Sequence, residues 1–159
     1  MARALIVYYT KTGHTRQAAE DIAAGLAEAG VEVEVKPVTE VSAEDVAGCD
    51  LVVVGSPCRA GSTGVLSGVA GPVSRWLGGL PEEALQGKAA AAFSVHSCFG
   101  GGTTVRSLER MLGERGGRVL AGGPAVRAGV PFSLWRGPEA SAEDRERLRR
   151  FGRDLAERL

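Results

Sequence analysis

The residue types with the clearest chemical meaning stand at positions 10–15, which read Thr10-Lys11-Thr12-Gly13-His14-Thr15. This segment lies between an apolar run typical of a strand and a stretch with helical periodicity. Hydroxyl groups and the backbone N–H groups of a helix N-terminus bind anions, because the helix dipole and the unpaired donors both favour negative charge. The lysine of a P-loop is missing from the pattern. The segment therefore predicts a site for a phosphate monoester that is held largely by neutral donors.

Three threonines surround Gly13 in this segment. A single N-cap hydroxyl would explain either Thr12 or Thr15, because a capping side chain accepts from an N–H group at the start of the helix. It would not explain all three. An anion that accepts hydrogen bonds from several hydroxyl and N–H groups explains the set, with Gly13 allowing the backbone to approach it closely.

Two further loops follow apolar runs that are typical of strands buried on both faces. The run Leu51–Val54 leads into Gly55-Ser56-Pro57-Cys58 and a glycine-rich segment that extends to about Gly64. The run Lys88–Val95 leads into the loop Ser94-Val95-His96-Ser97-Cys98-Phe99-Gly100-Gly101-Gly102. Glycine accounts for 23 of the 159 residues, roughly twice its usual share of about 7%. This excess predicts sharp turns or a close approach of the backbone to a ligand.

The elements that must position these loops alternate between strand and helix five times. Apolar patterns and turn signals predict strands at Arg3–Tyr9, Val31–Val35, Leu51–Val54, Lys88–Val95 and Arg118–Ala121. The predicted helices are Gly13–Ala29, a short helix from a capping box at Ser42, Gly68–Leu77 with Trp76 in the core, Thr103–Arg115, and a last helix capped by Ser141 with Leu148, Phe151, Leu155 and Leu159 facing the core.

Alternating strands and helices with short connections indicate an α/β fold, in which helices cover both faces of a parallel sheet. Ligands of such sheets bind beyond the carboxyl ends of the strands, at the point where the strand order reverses. In the order 2-1-3-4-5, strands 1, 3 and 4 are neighbours. The three unusual loops would then converge on one crevice, as a single binding site requires.

Composition narrows the class of protein. A length of 159 residues fits one domain spanning residues 1–159, and the formal net charge of zero gives no electrostatic footprint for nucleic acid or a membrane surface. No apolar stretch approaches the length of a membrane span. Three widely spaced cysteines (Cys49, Cys58 and Cys98) form no disulfide framework, and two histidines argue against a structural metal site. We therefore expect a cytoplasmic protein with reduced thiols, as a monomer or homodimer.

Three features together resemble the flavodoxin family: the Thr-x-Thr-Gly-x-Thr segment after strand 1, the apolar strand that ends in Gly-Ser-Pro, and the strand that runs into a glycine-rich loop. The resemblance extends over almost the whole chain. It implies a flavodoxin-like three-layer sandwich, with a five-stranded parallel sheet of order 2-1-3-4-5 and FMN bound non-covalently at the strand ends. No long insertion splits strand 5, so the chain resembles the short-chain form.

The resemblance also implies which residues hold the cofactor, and it implies no catalytic side chain. The FMN phosphate would be bound by three hydroxyls and by the N–H groups of residues 11–15, a set comprising Thr10, Lys11, Thr12, Gly13, His14 and Thr15. One side of the isoalloxazine ring would be lined by Ser56, Pro57, Cys58 and Arg59. The other side would be lined by Ser94, Val95, His96, Ser97, Phe99, Gly101 and Gly102, with backbone groups at the pyrimidine edge.

The chain departs from the family in these loops. Typical flavodoxins stack an aromatic residue from each loop on the flavin, whereas here the candidates are His96 and Phe99, both after strand 4. Typical flavodoxins are strongly acidic, whereas this chain is neutral and carries Arg59 and His96 near the predicted flavin. Because a positive charge stabilises an anion, we expect the anionic, fully reduced flavin to form at a higher potential than in typical flavodoxins.

Two cysteines also fall in the predicted flavin loops. Cys58 and Cys98 are either a thiol pair beside the flavin or small residues without chemistry.

Three functions fit this interpretation. The first is an electron carrier, in which FMN supplies the chemistry and the protein sets its orientation and potential for a redox partner protein. The second is an enzyme on the same scaffold, such as an NAD(P)H-dependent quinone reductase or an oxidase, which would use a small quinone-type acceptor. The third is a flavodoxin-like domain without bound FMN. A response-regulator receiver is disfavoured, because Tyr8-Tyr9-Thr10 and Gly55-Ser56-Pro57 stand where it needs acidic residues.

Overall fold

The computed structural model describes residues 2–10, 13–58, 68–96, 101–128 and 138–159. The strands in these ranges are β1 (Arg3–Tyr8), β2 (Glu32–Pro37), β3 (Leu51–Pro57), β4 (Ala89–His96), β5 (Arg118–Val119) and β6 (Ala125–Arg127). The α-helices are α1 (His14–Glu28), α2 (Ala43–Ala47), α3 (Gly71–Gly79), α4 (Gly101–Glu114) and α5 (Ala142–Glu157), with a 3₁₀ turn at Val38–Glu40. A search of the same ranges finds no helix long and apolar enough to cross a membrane.

The strands form one sheet of order β2-β1-β3-β4-β5, with β6 also paired to β4. These pairings are parallel, so the predicted α/β class and strand order are confirmed. The carboxyl ends of β1, β3 and β4 are therefore adjacent at one edge of the sheet. The three loops of interest leave from this edge.

The sheet separates two apolar cores, because successive strand residues point to opposite faces. On one face, Ile6, Val53 and Phe93 belong to a core that α1 and α5 cover. On the other face, Val52 and Ala92 belong to a core with α3 and α4. The strands β1, β3 and β4 are almost entirely buried, as their continuous apolar runs predict.

Two helix starts and one edge strand agree with the predictions made from the sequence. Glu32 and Glu34 are exposed on β2, which is the edge strand that their alternation predicts. Ser42 forms the predicted capping box of α2, in which its hydroxyl accepts from Asp45 N and the Asp45 carboxylate accepts from Ser42 N. Ser141 Oγ accepts from the N–H of the third residue of α5 at 3.0 Å.

The carboxyl end of α5 differs from the prediction at one residue. Leu148, Phe151 and Leu155 are buried against the sheet, as predicted. Leu159 was expected to face the core but is 41% exposed. The helix ends at Glu157, so helical periodicity no longer places the last leucine on the buried face.

The predicted helix Gly68–Leu77 begins three residues later, at Gly71. Val69 pairs with Cys58 in an isolated antiparallel bridge instead of joining the helix. Pro72 lies in the first helical turn, where the missing N–H leaves no hydrogen bond unmade. Trp76 is half-buried and packed against the core beneath α3, as predicted.

The loop predicted at residues 94–102 is shorter than expected at both ends. β4 continues to His96, so Ser94, Val95 and His96 belong to a strand and not to a loop. Partners on both sides extend it, because β3 pairs with β4 as far as Val95 and β6 pairs with it as far as His96. Gly101 and Gly102 form the first turn of α4, which was predicted to begin at Thr103.

The strand predicted at Arg118–Ala121 is divided into two segments. β5 covers only two residues, and β6 resumes the pairing with β4 after a break at residues 120–124. Gly123 lies so close to β4 that an added Cβ would be 1.7 Å from the Ala92 carbonyl oxygen. The break is short, in agreement with the predicted absence of a long insertion.

Candidate functional site

The predicted site residues that the structure describes gather at the carboxyl edge of the sheet. Thr10, Gly13, His14 and Thr15 follow β1, Ser56, Pro57 and Cys58 end β3, and Ser94, Val95 and His96 end β4. Gly101 and Gly102 begin α4 at the same edge. Lys11, Thr12, Arg59, Ser97, Cys98, Phe99 and Gly100 lie outside the described residues.

The start of α1 combines a left-handed glycine with backbone N–H groups that precede the first intrahelical hydrogen bond. Gly13 is the N-cap residue with φ of 95°, a conformation that favours glycine. Its N–H donates to Thr10 Oγ1 at 2.9 Å. The first intrahelical bond in this turn runs from Gln17 N to Gly13 O at 3.0 Å, so the N–H groups of residues 14–16 precede it. No acidic side chain lies in the first turn of α1.

Thr15 is not the N-cap of α1, because Gly13 takes that position without a side-chain cap. Thr15 lies one residue into the helix and is 2% exposed. A helix that begins without an acidic or capping side chain keeps both its dipole and its first N–H groups for an external anion. This end of α1 therefore suits a phosphate.

His14 contributes to the segment through its backbone, whereas its imidazole is buried behind the helix start. The side chain is 6% exposed and lines a small cavity with Gln17, Asp21 and Glu139 among its other walls. Asp21 is buried in the same region and accepts two hydrogen bonds from Arg145, at 3.1 and 3.2 Å. This ion pair fixes α1 against α5 and thereby fixes the orientation of the N-terminal end of α1. Sequence reasoning missed it, because its partners lie in the first and last helices.

Ser56 supports the second loop from within. It is fully buried, and its Oγ donates to Pro57 O at 2.8 Å and accepts from Ala70 N at 2.9 Å. The bond from Ala70 connects the end of β3 to the N-cap of α3. Cys58 follows as a half-buried residue, and its N–H donates to Val95 O at 2.9 Å. The structure thus places Ser56 as a brace and Cys58 at the edge of the crevice.

Two polar atoms at the end of β4 are buried without a partner in the described part of the chain. They are Ser94 Oγ and His96 Nδ1. An unmet buried donor or acceptor costs about 1–3 kcal/mol, so such a pair indicates a missing ligand or water. Val95 lies between them and faces the opposite core.

The His96 imidazole is electrostatically unusual. Burial lowers the pKa of His96 below its ordinary value, Arg127 lowers it further, and Asp144 partly offsets both effects. Arg127 stands directly beside His96 on β6. Sequence reasoning missed this neighbour, because the strand segment that carries it lies beyond the predicted strand Arg118–Ala121. His96 is therefore neutral at neutral pH, and it adds the expected positive charge only in acid.

This depressed pKa predicts an acid-dependent loss of stability. The unfolded chain protonates His96 near its ordinary pKa of about 6.5, before the folded protein does, so stability is complete above that pH and declines below it. We expect the midpoint of thermal unfolding to fall between pH 7 and pH 5 by more in the wild type than in His96→Gln. Calorimetry at matched ionic strength measures this difference, and an identical fall in both proteins would contradict the shift.

The sequence model of the flavodoxin family matches residues 6–148, which include all three loops. The chain belongs to the flavodoxin family. A flavodoxin of Aquifex aeolicus is 35% identical over 167 aligned residues, covering 99% of this chain and 86% of the relative. An NAD(P)H dehydrogenase (quinone) of Caulobacter vibrioides is 32% identical, covering 68% of this chain and 64% of that protein.

Solved structures agree on the fold. An archaeal flavodoxin superposes with a TM-score of 0.80 at 21% identity, covering 98% of this flavodoxin and 97% of the other chain. Family membership implies a flavin cofactor, and the residues present fit one. The α1 N-terminus offers donors to an anionic phosphate, and Ser94 and His96 offer unmatched polar atoms in the adjacent crevice.

Proposed function

We propose that this flavodoxin is an FMN-dependent electron carrier that serves a redox partner protein. The observation that carries the proposal is the N-terminus of α1, where Gly13 bends the backbone, Thr10 orients its N–H, and the first turn lacks an acidic side chain. A phosphate dianion is the natural occupant of such a site, because it accepts several hydrogen bonds and opposes the helix dipole. Among flavins, FMN carries this group and riboflavin does not.

The chain's own residues would bind and orient the cofactor. Thr10 and Thr15, with the N–H groups of residues 11, 12, 14 and 15, would hold the phosphate, and Lys11, Thr12 and His14 complete this predicted segment. Gly13 would turn the backbone, and its own N–H donates to Thr10 Oγ1. Ser56, braced by Ala70, would fix the loop of Pro57, Cys58 and Arg59 on one side of the ring. When bound, FMN supplies the electron-transfer chemistry.

The loop after β4 would contact the other side of the ring. Ser94 and His96 bring two buried polar atoms to it, and Val95 anchors the strand in the core. Gly101 and Gly102 form the first turn of α4, whose N–H groups precede the intrahelical bonds. These donors would face the carbonyl oxygens of the pyrimidine edge. Ser97 and Phe99 remain predicted contacts of the same loop.

A quinone reductase is the second candidate. It is favoured by the similarity to the quinone dehydrogenase of Caulobacter vibrioides and by a half-buried, neutral His96 at the crevice. A neutral imidazole is a suitable proton donor or acceptor near neutral pH. The nicotinamide and the quinone would both have to reach the flavin directly.

The decisive experiment titrates the apoprotein with FMN and, in parallel, with riboflavin. We expect FMN to bind at micromolar concentration or tighter, with riboflavin bound much more weakly because it lacks the phosphate. Failure of both to bind would overturn the proposal in favour of a domain without flavin. If FMN binds, NADPH and a soluble quinone are added. Steady NADPH oxidation that needs the quinone would support the reductase, and its absence would support the carrier.

A further inference from the structure

The partnerless atoms Ser94 Oγ and His96 Nδ1 share one face of β4. Ala90 and Ala92 on this strand belong to the core beneath α3 and α4, and the alternation of side chains puts Ser94 and His96 on that same face. Residues two apart on a strand are separated by about 6.6 Å. Both side chains therefore leave the same face of β4 at the carboxyl edge of the sheet, each with a buried polar atom that has no partner among the described residues.

The charged groups around His96 come from several elements. Arg127 on β6 is its register partner, and Asp144 in the first turn of α5 acts on it with the opposite sign. β3 brings the Cys58 thiol to the same edge, and α4 brings the Arg106 guanidinium in its second turn. Burial and Arg127 keep the pKa of the imidazole low. A new negative charge nearby would raise it, because an anion favours the protonated form.

We propose that His96 is a redox-linked proton acceptor, which takes up one proton at its partnerless Nδ1 when the flavin becomes anionic. The inference rests on the proposed binding of FMN. The balance is simple: the electron comes from the reductant, which is dithionite in the test, and remains on the flavin. The proton comes from solvent and remains on Nδ1, so no bond of the protein breaks. Because His96 takes up a proton, the potential for the second electron rises as the pH falls.

Nuclear magnetic resonance tests the proton directly. The chain has two histidines, so the spectrum of His96→Gln identifies both imidazole signals. We expect His96 in the FMN complex to titrate at lower pH in the oxidised protein than in the dithionite-reduced protein. Equal titration midpoints for His96 in both redox states would overturn the inference while leaving FMN binding intact.

Potentiometry provides the second readout. Between the two His96 midpoints, the potential for the second electron should change by up to about 59 mV per pH unit, the value for one electron and a tenfold change in proton concentration. His96→Gln should lose this component, and any slope that the flavin itself contributes should persist. Unchanged pH dependence in His96→Gln would contradict the proposal.

A variant that removes the charge beside His96 tests the proton linkage while the imidazole itself is kept. Arg127→Gln should shift both His96 midpoints to higher pH, because it removes the cation beside the imidazole. The control is Arg110→Gln, which removes an exposed arginine that pairs with Glu114 further along α4. It should leave both midpoints in place. Equal shifts in the two variants would show a general charge effect and overturn the assignment. Absence of FMN binding in the wild type would instead overturn the proposed function and this inference together.

Discussion

Replacing Thr15 with valine should weaken FMN binding by about 10- to 150-fold and leave riboflavin binding almost unchanged. A hydrogen bond to a charged group contributes about 1.5–3 kcal/mol, and about 1.4 kcal/mol corresponds to a tenfold change in affinity. Thr15 is 2% exposed and does not cap α1. Valine fills nearly the same volume, so the packing is preserved while the hydroxyl is lost. Quenching of flavin fluorescence on binding gives both affinities.

The control is Thr39→Val, in the exposed 3₁₀ turn after β2. It makes the same chemical change away from the anion-binding segment and should alter neither affinity. An equal loss of FMN and riboflavin binding in Thr15→Val would indicate a structural defect. An unchanged affinity for FMN would mean that the phosphate is held elsewhere.

The fold could be predicted from sequence because its central strands have a clear apolar pattern. Leu51–Val54 and Ala89–Phe93 are uninterrupted apolar runs, and such runs are stable as strands buried on both faces. The errors fall where glycine is concentrated. Glycine has low helix propensity, so Gly101 and Gly102 carry no local signal of the helix that they begin. At α3 the predicted start at Gly68 is too early, because Val69 pairs with Cys58 in the folded chain.

The candidate site also has one part that local sequence predicts and another that depends on the folded sheet. Thr10, Gly13 and Thr15 are adjacent in sequence, so their arrangement at a helix start follows from local rules. The brace between Ser56 and Ala70 and the pairing of His96 with Arg127 need the folded sheet. No local pattern encodes them. Sequence therefore predicts the helix start at Gly13, and it predicts the electrostatics around His96 poorly.

Gly152→Ala should destabilise the protein by about 3 kcal/mol, the upper part of the usual range for overpacking. Gly25 and Gly152 lie where α1 and α5 cross. A Cβ at Gly152 would be 2.2 Å from Ile22 O and 2.9 Å from Leu26 N, and one at Gly25 would be 2.0 Å from Arg149 O. These neighbours are backbone atoms, so no side-chain rotation can relieve the clash. The helices must separate, which opens the core beneath them.

The matched control for this change is Gly78→Ala in α3. Gly78 is also helical, but nothing lies within 4 Å of the added Cβ. Alanine should therefore stabilise the protein by about 0.5–1 kcal/mol, its propensity advantage over glycine. Urea unfolding measures both changes, and a stabilised Gly152→Ala would contradict the close crossing. Because α1 carries the anion-binding segment at its N-terminus, the separation of α1 from α5 should also weaken FMN binding in Gly152→Ala and not in Gly78→Ala.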